Sequence, residues 1–148
     1  MEAKVASEIK EIFEVLNERI KGYEKAFNNA EAPEIKSIFE KYMLQSISFE
    51  EELRPFSTKR PEDAGTRVVG DVWRFWMDIK KALSANTDEA MINASITGEE
   101  AAIDKYQHVL RDPDLSSNLR ERLEQQLIEL RGAHGNLCRL RDLVKESH

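Results

Sequence analysis

Apolar residues recur along this chain at steps of three and four, the spacing that aligns side chains on one face of an α-helix. The first series is Val5, Ile9, Ile12, Leu16, Ile20, Tyr23 and Phe27, with Phe13 beside it. It predicts a helix over residues 3–29. Asn28-Asn29-Ala30-Glu31-Ala32-Pro33 ends that helix, because asparagine tolerates left-handed backbone and Pro33 suits the first turn of a new helix. A second seam runs through Ile35, Ile38, Phe39, Tyr42, Ser46, Phe49 and Leu53 until Pro55 stops it. It predicts a helix over residues 33–54, antiparallel to the first because the turn is short.

Residues 54–67 contain Pro55, Pro61 and Gly65 and read as an irregular connection. A shorter helical stretch is expected from Val68 to Leu83, with Val68, Val72, Phe75, Ile79 and Ala82 on one side and Val69, Trp73 and Trp76 on an adjoining one. A third long helix is predicted over residues 87–111. Asn86 or Thr87 would cap it, Asp88 and Glu89 suit the positive end of its dipole, and Ile92, Ile96, Ile103, Tyr106 and Leu110 form its seam. Asp112-Pro113-Asp114 breaks the pattern. The last helix, residues 115–146, carries Leu115, Leu119, Leu123, Leu127, Leu130, Leu137, Leu140 and Val144.

The expected architecture is therefore all-α, one domain over residues 1–148, with four long helices packed as an antiparallel bundle. A helix of about twenty residues spans about 30 Å. The stretch 55–86, with its own short helix, is long enough to return over that distance. It would leave the second and third long helices parallel, which is the crossover topology of ferritin-like bundles. Plain up-and-down winding of five helices is the other arrangement.

Composition supports helices over strands. Of 148 residues, 41% are apolar and 34% charged, and only 6 Gly and 4 Pro punctuate the chain. The net charge is −6 with acids and bases interleaved, so no basic stripe offers a surface to nucleic acid. Cys138 is the single cysteine and forms no intrachain disulfide, which suits a reducing compartment. Met1-Glu2-Ala3-Lys4 lacks the apolar core of a signal peptide, and no run of eighteen apolar residues spans a membrane. A bacterial-type cytoplasmic location is the expectation.

The segments Leu16-Asn17-Glu18-Arg19-Ile20, Gly22-Tyr23-Glu24 and Glu34-Ile35-Lys36-Ser37-Ile38-Phe39 resemble an uncharacterised bacterial ferritin-like family catalogued as a domain of unknown function. So do Trp76-Met77-Asp78-Ile79-Lys80-Lys81-Ala82-Leu83, Gly98-Glu99-Glu100 and His134. The resemblance covers nearly the whole chain and implies the ferritin-like fold, with no activity attached. The chain departs from the family's pattern at Ser46, where an arginine is expected.

One internal echo bears on chemistry. Ile20-x-Gly22-x-Glu24-x-x-Phe27 matches Ile96-x-Gly98-x-Glu100-x-x-Ile103 at a constant offset. It places Glu24 and Glu100 on the apolar seams, where paired carboxylates suggest a di-metal centre. Two features oppose that. The second helix has no histidine, and Arg131 stands three residues before His134, where a cation cannot act as a ligand. With turns near residues 31 and 113, Glu100 and His134 are also expected about 12 Å apart in height, at about 1.5 Å per residue. Glu24 and Glu100 then read as seam-edge carboxylates, His134 as a hydrogen-bonded core histidine and Cys138 as a small buried filler. His108 and His148 read as exposed. Gly22 and Gly98 would allow close approach of a neighbouring helix or ring.

Trp73 and Trp76 read in two ways. They clamp a connecting helix against the bundle, or they form a surface for a second copy of the chain. These readings favour a non-catalytic ferritin-like bundle, self-associating as a homodimer in a structural or stress-type role, with no catalytic residue, cofactor, metal ligand, nucleic-acid or membrane partner. The alternative is an iron- or manganese-binding ferritin-like protein with a degenerate carboxylate/histidine site. A third reading is a carrier of a small apolar ligand in a cavity between the helices.

Overall fold

Each predicted long helix is present in the computed structural model, which describes residues 3–65 and 88–146. Helix α1 spans Ala3–Asn29, α2 Pro33–Leu53, α3 Asp88–Leu110 and α4 Ser117–Glu146, and the described residues contain no strand. The expected stretch 68–83, with Trp73 and Trp76, lies outside the described residues.

Two terminal features have local causes. Pro33 opens α2, where its missing N–H costs no hydrogen bond. Helix α4 begins two residues later than the leucine pattern predicts. Asp112 Oδ1 accepts the Asp114 N–H at 2.9 Å and holds residues 111–116 in a turn. Ser116 then caps α4, its Oγ accepting the Leu119 N–H at 3.2 Å. Arg120 reaches back from α4 to the Leu110 carbonyl at 2.8 Å and to the Asp112 carbonyl, fastening the turn from inside.

Helix directions follow from two contacts. Asp88, the first residue of α3, accepts the Glu31 and Ala32 N–H groups through its two oxygens, each at 2.9 Å. The start of α3 therefore lies at the α1–α2 turn, where α2 also starts. So α2 and α3 run parallel, and α1 and α4 run against them. Two short 3-10 turns, Arg54–Phe56 and Pro61–Ala64, begin the return from the far end of α2. They reach mid-length of α1, where Asn17 Nδ2 donates to the Pro61 and Gly65 carbonyls at 2.9 Å each. Gly65 has φ 71° and ψ −152°, a backbone region essentially reserved for glycine.

The apolar core divides into two clusters. One joins Val5, Ile9, Ile12 and Leu16 of α1 to Phe49, Leu53, Tyr106, Val109, Leu119 and Leu123. The other joins Tyr23 and Ala26 to Ile35, Phe39, Tyr42, Ile92, Ile96 and Leu137. Between them, at mid-length, lies a polar layer. No helix among the described residues is long and apolar enough to cross a membrane.

The cap of α4 gives a direct check. Ser116→Ala removes the side-chain oxygen that accepts the Leu119 N–H in the first turn of α4, and denaturant unfolding is expected to show a loss of about 1 kcal/mol. Ser116→Asp is expected to retain the wild-type midpoint.

Candidate functional site: a buried arginine at mid-bundle

The polar layer is built on Arg19, whose side chain is only 3% exposed. It projects from α1 between Leu16 and Tyr23. An arginine in an apolar interior is costly unless its donors are matched. Here Nε donates to Glu99 Oε1 at 2.7 Å and Nη2 to Glu99 Oε2 at 3.2 Å, a side-on bidentate pair with a carboxylate from α3. From α2, Ser46 Oγ accepts Nη1 at 2.8 Å and Gln45 Oε1 accepts Nη2 at 2.7 Å. The Ser46 hydroxyl in turn donates to the Tyr42 carbonyl at 2.9 Å. The rings of Tyr23, Tyr42 and Phe49 surround the guanidinium, with centroids 5.3, 5.8 and 5.9 Å away.

Electrostatics agree with this geometry. Burial alone would push Arg19 down, but Glu99 beside it outweighs burial and holds the guanidinium above its ordinary value. The Tyr23 hydroxyl donates to Glu99 Oε1. Burial, with Glu99 adding to it, raises that phenol well above the ordinary tyrosine range. A second polar thread crosses the bundle nearby. Tyr106 donates to Gln126 Oε1 at 2.7 Å, and Gln126 Nε2 donates to the Phe49 carbonyl at 3.2 Å and to Glu52 at 2.9 Å.

Arg19, Tyr23 and Glu99 are 3%, 1% and 1% exposed. Four of the guanidinium's hydrogen bonds are already committed to protein oxygens.

The sequence expectations need three corrections. Glu24 and Glu100 are both exposed, and the buried carboxylate is Glu99. The seam of α3 runs through Ile92, Ser95, Glu99, Ala102, Tyr106 and Val109; Ile92, Ile96 and Tyr106 of the expected series are buried, whereas Ile103 and Leu110 are half-buried beside Ala102 and Val109. Alanines and Ser95, all buried, carry the helix's inner face without announcing it. On α1 the expected seam is buried at Val5, Ile9, Ile12, Leu16 and Tyr23, but Arg19 takes the position between Leu16 and Tyr23 and leaves Ile20 half-buried. The internal echo is real in another sense: at its offset Tyr23 corresponds to Glu99, and these two side chains are bonded to each other.

The second correction concerns height. His134 Nε2 lies 3.3 Å from Glu100 Oε2, although a 12 Å separation is expected from a turn at residue 113. Because α4 starts at Ser117, the pairing of α3 with α4 is centred several residues later, as the Tyr106–Gln126 bond shows. His134 is half-exposed on the α3–α4 face, not buried in the core. Third, Cys138 is half-buried and not fully buried; it packs against the second apolar cluster, with Sγ 3.9 Å from His134 Nε2. Arg131 is exposed, and His108 is exposed as expected. Among the described residues, no three His, Cys, Asp or Glu side chains form a set that could hold a metal ion. A cleft of about 330 Å³ lies outside the four-helix core, between the first turns of α1 and residues 57–64, with Lys10, Lys59 and Arg60 on its wall. It is not the apolar cavity between helices that a small-ligand carrier needs.

Arg19, Gln45, Ser46, Glu99 and Gln126 carry the polar layer; Ser46 is expected on the α2 seam, but none of the other four is expected to face inward. Gln126 was legible, since 119, 123, 126, 130, 133 and 137 continue one three-four series through it. Arg19 and Glu99 continue such series too, through 9, 12, 16, 19, 23 and 26 on α1 and through 92, 95, 99, 102, 106 and 109 on α3, but seams drawn from apolar residues alone pass over charged ones.

Breaking the pair from one side leaves a buried charge alone. Glu99→Ala is expected to cost about 3–5 kcal/mol in chemical unfolding. The double variant Arg19→Met/Glu99→Met removes both charges and is expected to recover most of that loss.

Comparison with known families gives one match: residues 4–112 fit the model of a domain of unknown function, DUF2383. No curated protein and no solved structure matches the chain.

Proposed function

We propose that this chain, which belongs to the DUF2383 family of unknown function, is a non-catalytic bundle of ferritin-like topology with a structural, self-associating role. The supporting observation is the Arg19 guanidinium at mid-bundle. Metal-loaded bundles of the ferritin-like class gather carboxylates and imidazoles at that level. Here a covalently attached cation takes the place, its hydrogen bonds made to Glu99, Ser46 and Gln45. A second cation beside it would meet repulsion, and Glu99 has no free electron pair aimed at an open space. The parallel start of α2 and α3 favours the crossover connection over up-and-down winding.

Self-association is the role this reading assigns to Trp73 and Trp76. Two tryptophans three residues apart in a helix-patterned stretch are the kind of anchors that concentrate binding energy at an interface. The iron- or manganese-binding reading draws on one observation, the approach of His134 to Glu100 on the α3–α4 face.

Two measurements separate these readings. Protein purified without chelator is expected to carry no stoichiometric iron or manganese by elemental analysis. Stoichiometric metal that disappears on Glu100→Ala or His134→Ala would establish the second reading instead. In light scattering, Trp73→Glu is expected to convert a dimer to a monomer, and an unchanged mass would remove the tryptophan interface.

A further inference from the structure

The end of the bundle remote from the α1–α2 turn contains a pair of carboxyl groups that the central layer does not explain. Glu8 comes from the second turn of α1, and Asp112 from the α3–α4 turn. Both are more than nine-tenths buried, at 7% and 3% exposure. Glu8 Oε1 and Asp112 Oδ2 each find no ordinary donor. Two ionised carboxylates would not stay there together, since each would be desolvated and would repel the other. Yet the two side chains are within hydrogen-bonding distance of each other.

We propose that Glu8 and Asp112 share one proton, and that this proton latches the first turns of α1 to the α3–α4 turn. Asp112 is the acceptor. Its other oxygen holds the Asp114 N–H at 2.9 Å, and Lys4 lies 3.8 Å away, so its charge is supported. Glu8 is the proton carrier, with no cation bonded to it and Glu11 adding negative charge from its own helix. The remaining charges facing the pair are Lys4 on α1 and Arg120 on α4, which is committed to the Leu110 and Asp112 carbonyls. Lys105 on α3 is paired with Glu11 at 3.5 Å.

Burial, followed by the bond to Asp112, pushes the Glu8 carboxyl up to about 7. The bond from Glu8 holds Asp112 below its ordinary value. The signs then differ. Glu8's folded value lies above its unfolded one, so its contribution is full below about pH 4.5 and lost as pH rises through about 7. Asp112's folded value is depressed, so its contribution is present above its ordinary value of 3.8 and lost as pH falls through the folded value. The latch is strongest in mildly acidic solution and opens as the medium turns alkaline. Proton uptake would thereby tie the entry of α1 to the turn that launches α4, making this end of the bundle sensitive to pH near neutrality.

Glu50 provides an internal control. It is buried at the same end, on α2, with Oε2 unpartnered. Burial, then the neighbouring Glu62, pushes it up to about 7, and the charges acting on it are Glu62, Arg54 and Glu51, with no bond to Asp112.

Hydrogen exchange of the full chain, expressed as protection factors, tests the latch. From pH 5 to pH 8, amides of residues 5–12 are expected to lose protection by on the order of tenfold, while residues 35–46 change little. Glu8→Gln supplies a permanent donor to Asp112 and is expected to keep the pH 5 protection at pH 8. Glu8→Ala should show the low value at both. Glu50→Gln should leave the α1 response as in the wild type. Protection that is flat with pH in the wild type, or that falls equally in Glu8→Gln, would overturn the proposal. An independent readout is carboxyl carbon NMR of the wild type, with a Glu8 midpoint near 7 expected. A midpoint near 4.5 would equally rule out the shared proton.

Discussion

One buried ion pair sets the terms for the rest of the bundle. Burying a guanidinium in an apolar interior is unfavourable by several kcal/mol unless oxygens meet it. Arg19 therefore has to find its partners wherever α1 places it. They come from two other helices: Glu99 from α3, and Gln45 and Ser46 from α2. Each bond is directional, so a slide of either helix by one residue would strand the charge. Apolar seams alone tolerate such slips more readily, because one leucine packs much like another. The polar layer lies between two apolar clusters, and we read its role as fixing the register in which those clusters meet. Ser46 illustrates the economy of the space. A small side chain there leaves room for the guanidinium and offers it an oxygen.

Specificity is then distributed unevenly along the bundle. At the centre the buried guanidinium is met by Glu99, Ser46 and Gln45. The end with the α1–α2 turn is closed by the Glu31 and Ala32 backbone amides, which donate to Asp88. The opposite end depends on carboxyls, Glu8 and Glu50, that carry protons at a pH where surface acids do not. A chain with this layout is rigid in the middle and conditional at one end. Local openings in proteins start where contacts are weakest, and here that place is defined by chemistry as well as by packing.

The family match covers residues 4–112. All of the side chains that hold the guanidinium, Gln45, Ser46 and Glu99, fall within it, as does Arg19 itself. Helix α4 lies beyond. It contributes the apolar cover of both clusters, the Gln126 thread, and the His134–Cys138 face. The polar centre is thus a property of α1, α2 and α3. A fold of this type hosts many activities, so the argument for a non-catalytic role rests on that centre and not on the helices themselves.

The sequence by itself determined the four long helices and their ends to within two residues, because three-four spacing, Pro33, Pro55 and the Asp112-Pro113-Asp114 break are local signals. It also located the antiparallel neighbours, since short turns leave no other choice. It did not determine which polar residues face inward. On α3 the inner face sets alanines, a serine and a glutamate among Ile92, Ile96, Tyr106 and Val109, and hydrophobicity cannot distinguish the former from surface residues. A rotation of one residue, about 100° around the helix, exchanged Glu100 for Glu99 as the buried acid. Nor did it determine the height at which α3 meets α4, which depends on how many residues the turn consumes before Ser116 caps the next helix. Both were decided only when the helices packed, because a buried charge is satisfied by atoms distant in sequence. Arg19 and Glu99 stand 80 residues apart, and nothing local to either one names the other.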